Sequence, residues 1–176
     1  NAFTSKEVTG YWVKVASKDQ DIALDWISDI SLNSKIEQTE INREKGVIIE
    51  EINMYLDTPT LYIGDLWEKL LYKDQPAGWR VIGEKENIVN MNKEKIIDYL
   101  KKHYSSENTI ICAAGDINSQ KVEEKIKKYF KNINESHPKE KIDVEEEQDK
   151  PENLIYFKET DQTHLCLGVR AYNLFD

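Results

Sequence analysis

Two carboxylates, Glu44 and Glu51, have the spacing in this sequence that is best suited to joint chemistry. They lie seven residues apart in the segment EQTEINREKGVIIEEINMY, residues 37–55. The apolar residues of this segment recur at helical spacing, so it is predicted to be an α-helix. Seven residues make about two helical turns, so both acids point the same way. Such a pair can be partnered by a metal ion, a basic group or strong hydrogen-bond donors.

The predicted helix places apolar residues on both sides of the two acids. At about 100° per residue, Ile48 and Ile52 fall on one side of them, and Val47 and Met54 fall on the other. An unpaired carboxylate buried in such an arc costs several kcal/mol or more, so a partner is predicted. The alternative is a solvated pair, since charged helices often carry glutamates at this spacing. Two further acids, Glu37 and Glu40, lie in the first turn and are interpreted as favourable charges at the helix N-terminus.

Composition limits the class of protein. A chain of 176 residues is long enough for one domain with a core. The net charge of −9 argues against nucleic acid or an anionic membrane as the partner. No apolar run approaches the roughly 20 residues of a membrane span. The sequence begins with Asn1 rather than Met, so we expect a start that is cut, processed or only partly represented, and location stays open with the cytoplasm favoured.

The pattern along the chain predicts an α+β fold rather than a regular strand–helix alternation. Strands are predicted from period-2 or continuous apolar runs at Ala2–Thr4, Gly10–Ala16, Asn108–Ala114, Leu154–Phe157 and Thr163–Arg170. Besides the glutamate-bearing helix, apolar residues at helical spacing predict helices at Ile22–Ile30, Pro59–Tyr72, Lys93–Tyr104 and Ser119–Phe130.

Two segments lack a regular pattern. Lys73–Asn92 is rich in Gly, Pro and Asn and is predicted to be a long, mostly irregular connection. Trp79 and Arg80 in this connection either contact a partner or simply pack against their own domain. Asn132–Glu152 is predicted to be a charged linker. The two cysteines, Cys112 and Cys166, are predicted to be buried thiols, and no disulfide framework is implied.

The chain resembles the pitrilysin/insulinase-type zinc metallopeptidases, a family that includes the mitochondrial processing peptidases. Three segments carry the resemblance in order: NAFTSKEVTGYWVKV from residue 1, REKGVIIEEINMYLDTP from residue 43, and DQPAGWRVIGEKENIVNMNKEKIIDYLKKHYSSENTIICAAGDI from residue 74. The resemblance implies a mostly antiparallel sheet packed against helices. It implies one partial family domain over residues 1–176, with residues 1–105 belonging to the zinc-site half and residues 106–176 forming the remainder.

The family binds zinc through an inverted HxxEH motif and a glutamate farther along the chain, in a motif of the form E-x6-E. Here that second motif is Glu44-x6-Glu51. The resemblance implies that Glu51 is the zinc ligand and that Glu44 is the supporting carboxylate. Glu50 is adjacent but turned by about 100°, so Glu51 is preferred. The implied chemistry is peptide hydrolysis, in which zinc and a glutamate base activate a water molecule.

The HxxEH motif itself is absent from this sequence. Its three histidines, His103, His137 and His164, do not lie in HxxEH or HExxH arrangements, and none is assigned to a metal. The segment Asn1, Ala2, Phe3 and Thr4 resembles the family's substrate-binding edge strand, to which a peptide adds as a further strand. The alternative for this segment is an ordinary sheet edge.

Three interpretations of function follow. The chain is part of a zinc metalloendopeptidase that acts on peptides or unfolded polypeptides, together with further domains or a partner subunit. Alternatively, it is a non-catalytic family subunit that binds or presents substrate or supports assembly. The third interpretation is a cut fragment with no independent function. Both retained acids favour the enzymatic interpretation, combined with an incomplete start.

Overall fold

The computed structural model describes residues 1–172 and is rich in helix within that range. Its six α-helices there are α1 (Gln20–Leu32), α2 (Gln38–Leu56), α3 (Pro59–Tyr72), α4 (Lys85–Val89), α5 (Lys93–His103) and α6 (Ser119–Tyr129). Two short strands, β1 (Ala2–Thr4) and β2 (Thr9–Tyr11), form an antiparallel pair. The predicted helices are therefore present, whereas the predicted extensive sheet is represented in this range by one pair of strands.

The helix ends follow local capping rules in several places. The side chains of Asn92 and Asn118 accept hydrogen bonds from the backbone N–H groups of Lys95 and Lys121, which starts α5 and α6. Pro59 occupies the first turn of α3, where a missing N–H costs nothing. The α4 helix was not predicted, because the surrounding segment was interpreted as irregular.

The second strand, β2 (Thr9–Tyr11), is shorter than the strand predicted at Gly10–Ala16. Ala2 lies opposite Tyr11, Phe3 opposite Gly10, and Thr4 opposite Thr9. The ladder ends where Asn1 and Trp12 exchange both backbone hydrogen bonds, at 3.0 and 2.9 Å. Residues beyond Trp12 have no opposing residue on β1 and therefore remain outside the pair.

Gly10 is required for the close approach of Phe3 across the hairpin. A Cβ atom placed on Gly10 would lie 2.3 Å from Cε1 of the Phe3 ring. We expect Gly10→Ala to displace this ring and to cost no more than about 1 kcal/mol, because the clashing atoms are the tip of a side chain that is 53% exposed and can turn away. Chemical denaturation of the wild type and of this variant would measure the loss. Gly46→Ala is the comparison: a Cβ there meets nothing within 4 Å, and the variant should stabilise α2 by about 0.5–1 kcal/mol, because alanine is the better helix former.

Three predicted strands are not formed in the described residues. Asn108–Ala114, Leu154–Phe157 and Thr163–Arg170 form neither helix nor paired strand, apart from the short 3-10 turn that ends at Asn108. Their apolar side chains are largely exposed, as Ile110 at 89% illustrates. Cys112 and Cys166 in these segments are exposed rather than buried thiols. A strand is stabilised by a hydrogen-bonded neighbour, and the described residues provide none for these segments.

The contacts divide the chain into two compact units. The first comprises Asn1–Glu44 and Asn90–Lys141, and the second comprises Lys45–Val89 together with the chain from Ile142 onward. In the first unit, α1 packs on α6, and Val122 and Phe130 are buried. In the second unit, Ile52 of α2 is 1% exposed. The predicted single family domain, divided near residue 105, stays a prediction.

Candidate functional site

Glu44 and Glu51 lie in one uninterrupted helix, α2, as the sequence predicts. Their spacing of seven residues corresponds to a rise of about 10 Å along the helix axis. The helical period turns both side chains toward the same side of α2. The helix therefore presents the two acids as a line along its surface rather than as a compact pair.

The surroundings of the two acids differ from the prediction of a buried apolar arc. Glu44 and Glu51 are both exposed, and the two apolar residues beside them, Val47 and Met54, are 57% and 54% exposed. Ile52, on the other side of the acids, is buried. Only part of the apolar arc therefore packs, because the described residues leave more than half of Val47 and of Met54 exposed. Because both carboxylates are exposed to solvent, burial does not require a partner for them in this structure.

Neither acid has a hydrogen-bond or ion-pair partner among residues 1–172. The nearby arginine, Arg43, pairs instead with Glu40 at 2.8 Å. This exposed pair, one helical turn apart, agrees with the structural interpretation of Glu40. Both carboxylates of the E-x6-E motif are therefore available to a ligand from outside the described chain.

The histidines do not complete a metal site within the described residues. The His103 ring stacks at the end of α5 against Tyr99, with ring centroids 4.4 Å apart, and Nδ1 of His137 lies 2.7 Å from Glu107. Across residues 1–172, no three His, Cys, Asp or Glu side chains are grouped so that they could hold a metal ion. A catalytic zinc takes three protein ligands and a water molecule. Glu51 alone does not fit that requirement.

Within residues 1–172, β1 pairs with β2 along one edge, and its other edge has no strand beside it. In an antiparallel ladder, hydrogen-bonded and non-bonded pairs alternate. Asn1 and Trp12 form a bonded pair, and so do Ser5 and Val8, whose N–H···O distance is 2.8 Å. Ala2 and Thr4 therefore occupy non-bonded positions, and their N–H and C=O groups point away from β2. These groups can accept a further strand.

Arg80 in the connection between α3 and α5 packs within the second unit. Its side chain is only 10% exposed, and its Nε donates a hydrogen bond to Asp65 at 2.7 Å. The guanidinium also lies 5.7 Å from the centroid of the Tyr62 ring. Burial raises the pKa of the Tyr62 hydroxyl. The contacts of Arg80 agree with packing against its own domain. The sequence did not indicate that Asp65 and Tyr62 would be its partners.

Family models match nearly the whole chain. Residues 1–85 match the model described as Insulinase (Peptidase family M16), and residues 90–176 match the model described as Peptidase M16 inactive domain. The chain belongs to this family. The pitrilysin/insulinase-type resemblance seen in the sequence is thereby confirmed, and with it the classification as a zinc-dependent peptidase family.

Curated relatives extend the match. The uncharacterized zinc protease YmxG of Bacillus subtilis is 33% identical over 171 residues, which is 97% of this chain and 41% of that protein. The mitochondrial-processing peptidase subunit beta of Bos taurus is 32% identical over 130 residues, which is 74% of this chain and 26% of that protein. The chain thus spans about two fifths or less of the length of these relatives.

Solved structures share the fold. A protease from Helicobacter pylori superposes with a TM-score of 0.74 at 26% identity, covering 83% of this chain and 36% of that one. The periplasmic protease PqqL from Escherichia coli gives a TM-score of 0.71 at 19% identity, over 85% of this chain and 17% of that one. Within residues 1–172, no helix has both the length and the apolar character needed to cross a membrane.

Proposed function

We propose that this chain is part of a zinc-dependent metalloendopeptidase that hydrolyses peptide bonds in peptides or unfolded polypeptides. The observation that carries the proposal is the E-x6-E motif on α2, whose two carboxylates are exposed and without partners in the described residues. In this proposal Glu51 is one ligand of the zinc, and Glu44 is its supporting carboxylate. The remaining ligands come from polypeptide outside this chain, either further domains or a partner subunit.

A carboxylate ligand is suited to this role by its chemistry. Asp and Glu oxygens bind Zn²⁺ at about 2.0–2.2 Å, and a mixed histidine and carboxylate set leaves a fourth position for water. When bound, the zinc would supply an activated water for attack on a peptide carbonyl. The contribution of this chain is to hold Glu51 on a rigid helix, since sites on helices are positioned more precisely than sites on loops.

The substrate is held, in the same proposal, by the free edge of β1. Ala2 and Thr4 offer two outward N–H and two outward C=O groups, which is the pattern that an extended peptide needs to add as a strand. Binding through backbone groups accepts many side chains, which suits an enzyme that acts on unfolded polypeptides. Asn1 and Phe3 belong to the same segment, but their backbone groups face β2.

Substitution by proline tests this assignment at a single atom. Thr4→Pro removes one outward N–H group from β1 and leaves the bonds between β1 and β2 intact. We expect the affinity for an unstructured, fluorescently labelled peptide to fall roughly two- to tenfold, the equivalent of one net hydrogen bond. Fluorescence anisotropy titration of the 176-residue chain would measure the change.

Thr9→Pro is the matched control for this experiment. Thr9 lies directly opposite Thr4 in the same non-bonded pair, so its N–H points to the opposite edge of the hairpin. Peptide affinity should therefore stay unchanged in this variant. Equal losses in the two variants would refute β1 as the peptide-binding edge, because they would reflect a general disturbance of the hairpin.

A second candidate function is supported by the match of residues 90–176 to a family model described as an inactive domain. In that case the chain binds or presents substrate, or supports assembly, without taking part in the reaction. The two candidates differ in the role of Glu51. Loss of zinc on Glu51→Gln, measured in a longer polypeptide that carries HxxEH, supports the role in a zinc peptidase. Unchanged zinc content together with unchanged peptide binding supports the non-catalytic subunit.

A further inference from the structure

A cavity of about 590 Å³ lies within the first unit. Residues of β2, α1 and α5 line it, together with residues of the connections that precede α2 and α5. Most of its wall is apolar and comes from Ile30, Ile36, Met91, Ile96 and Leu100. Cavities of roughly 300–1,000 Å³ with apolar walls and a few polar groups are the usual form of a small-ligand site. The polar groups of this cavity therefore decide which ligand it fits.

Lys95 provides the charge of this cavity. Among the described residues that line it, Lys95 is the charged one, and none is an acid. Its Nζ donates a hydrogen bond to the carbonyl of Asn90 at 2.8 Å. An ammonium has three N–H donors, so two of them are left for a ligand. The charge of the lining is therefore complementary to an anion, for which hydrogen bonds from an ammonium are strong.

A pair of phenols adds a further donor. The hydroxyl oxygens of Tyr11 and Tyr104 lie 2.9 Å apart, so one of them donates to the other. That bond uses one of the two phenolic protons, and the second has no acceptor within residues 1–172. Burial raises the pKa of the Tyr104 hydroxyl, and the hydrogen bond to Tyr11 raises this pKa further. The pair therefore keeps both protons at neutral pH and offers one O–H group to a ligand.

Two serines of the lining contribute acceptors rather than donors. The Ser31 hydroxyl donates to the carbonyl of Ile27 at 2.7 Å, and the Ser34 hydroxyl donates to the carbonyl of Ile30. Each hydroxyl has a single proton, so the two oxygens have only lone pairs left for a ligand. The cavity thus combines an apolar wall, a cation, a phenolic donor and hydroxyl acceptors.

We propose that this cavity binds the C-terminal residue of a peptide whose last side chain is large and apolar. The carboxylate pairs with Lys95 and accepts a hydrogen bond from the phenols. The side chain lies against the apolar wall, and the amide N–H of the same residue donates to a serine hydroxyl. Each group of such a residue therefore has a counterpart in the lining.

Other ligand classes lack one of these counterparts. A cationic ligand would be repelled by Lys95. An uncharged apolar ligand would displace water from the donors without replacing its hydrogen bonds. A fatty acid has a carboxylate and an apolar chain, but it has no N–H group for the serines. The inference does not rest on zinc binding by Glu51 or on peptide binding at β1.

The two methionines of the chain can locate the bound peptide. Met91 lines the cavity, whereas Met54 lies on α2 and is 54% exposed. The 176-residue chain, labelled at its methionine methyl groups, would be titrated with acetyl-Gly-Gly-Phe and followed by NMR. We expect the Met91 signal to shift to saturation and the Met54 signal to stay in place. A shift of Met54 alone, or no shift of either signal, would overturn the inference.

Two analogues test the carboxylate and the apolar side chain of the peptide. Amidated acetyl-Gly-Gly-Phe should bind roughly tenfold more weakly, because it lacks the charge that pairs with Lys95. Acetyl-Gly-Gly-Gly should also bind roughly tenfold more weakly, because glycine leaves the apolar wall uncovered. Equal affinity of all three peptides would contradict the proposal. Decanoate that shifts Met91 at lower concentrations than acetyl-Gly-Gly-Phe would assign the cavity to fatty acids instead.

A pair of variants tests the charge of the cavity. Lys95→Gln removes the ammonium from an exposed position on α5 and should lower the affinity for acetyl-Gly-Gly-Phe roughly tenfold. The affinity for the amidated peptide should stay unchanged. Lys93→Gln is the matched control, because Lys93 lies on the same helix, outside the lining and about 200° away from Lys95. Equal losses in both variants would refute the role of Lys95.

Thr4→Pro separates this inference from peptide binding at β1. The Met91 shift and its dissociation constant should be the same in this variant as in the wild type, whatever happens to binding at the β1 edge. Loss of the Met91 shift in Thr4→Pro would mean that the signal reports on the hairpin rather than on an occupied cavity, and it would overturn the inference.

Discussion

Replacing Glu51 by glutamine should remove most of the bound zinc, and with it peptide hydrolysis, from a longer polypeptide in which an HxxEH segment precedes this chain. Glutamine keeps the volume of the side chain and removes its charge, so packing on α2 is unchanged. A catalytic zinc held by three protein ligands loses one of them. The loss should exceed the roughly 10- to 100-fold effect that is typical of substituting a residue behind the ligands.

Two neighbouring acids of α2 provide graded controls for this prediction. Glu50→Gln should leave zinc content and turnover nearly unchanged, because Glu50 is turned about 100° away and is exposed. An exposed substitution of this kind changes stability by only about 0.5 kcal/mol. Glu44→Gln should fall between the other two variants, within the range of about 10- to 100-fold, because a supporting carboxylate orients a ligand without binding the metal.

Zinc content by atomic absorption and turnover of an unstructured peptide, measured on the three variants, decide the assignment. Equal losses of zinc and turnover in Glu50→Gln and Glu51→Gln would contradict the choice of Glu51 over Glu50 as the ligand. Full zinc occupancy in Glu51→Gln would remove this residue from the metal site and would favour the non-catalytic subunit. Thermal unfolding of each variant separates these outcomes from a simple loss of folded protein.

The helices could be predicted from sequence because their signals are local. Pro59 and the apolar spacing that follows it gave the bounds of α3, Pro59–Tyr72. The apolar spacing of Ser119–Phe130 likewise predicted α6, and in the structure the Asn118 side chain makes its capping hydrogen bond. Each signal depends on contacts within one helical turn, so it needs no knowledge of the rest of the chain.

The strands could not be predicted with the same success, because a strand depends on a distant partner. Within Thr163–Arg170, Gly168 and Arg170 lie against α3, whereas Leu165, Leu167 and Val169 are exposed. The period-2 pattern does not show whether a neighbouring strand is available, and none pairs with this segment in residues 1–172. The hairpin of β1 and β2 does form, because its two strands are joined by a tight turn.

The surroundings of Glu44 and Glu51 were predicted wrongly for a related reason. The helical period fixes the angle between Glu44, Glu51 and their apolar neighbours, and the structure agrees with that angle. It does not specify what packs on each side of the helix. Ile52 is buried, whereas Val47 and Met54 remain exposed. The proposal that Glu51 is a zinc ligand therefore depends on the E-x6-E spacing and not on burial.

The 176-residue chain by itself should show no zinc-dependent hydrolysis of a peptide. Its histidines lie outside any HxxEH arrangement, and its described residues contain no group of three side chains that could hold a metal ion. Glu51 is the one proposed zinc ligand in this chain, so any zinc association should be weak and should be removed readily by a chelator, because a catalytic site takes three protein ligands. Incubating the purified chain with zinc and an unstructured peptide, followed by mass spectrometry, would check this.

The positive control for this prediction is the same assay on a longer polypeptide that carries both HxxEH and this chain. Hydrolysis there, sensitive to chelator and restored by zinc, together with none in the 176-residue chain, would mean that the reaction needs ligands from both parts. Hydrolysis by the 176-residue chain that survives chelation would indicate a contaminating or unrelated activity. Hydrolysis by this chain that requires zinc and is lost in Glu51→Gln would contradict the prediction. Glu51 would then bind the metal together with residues of this chain that no family motif identifies.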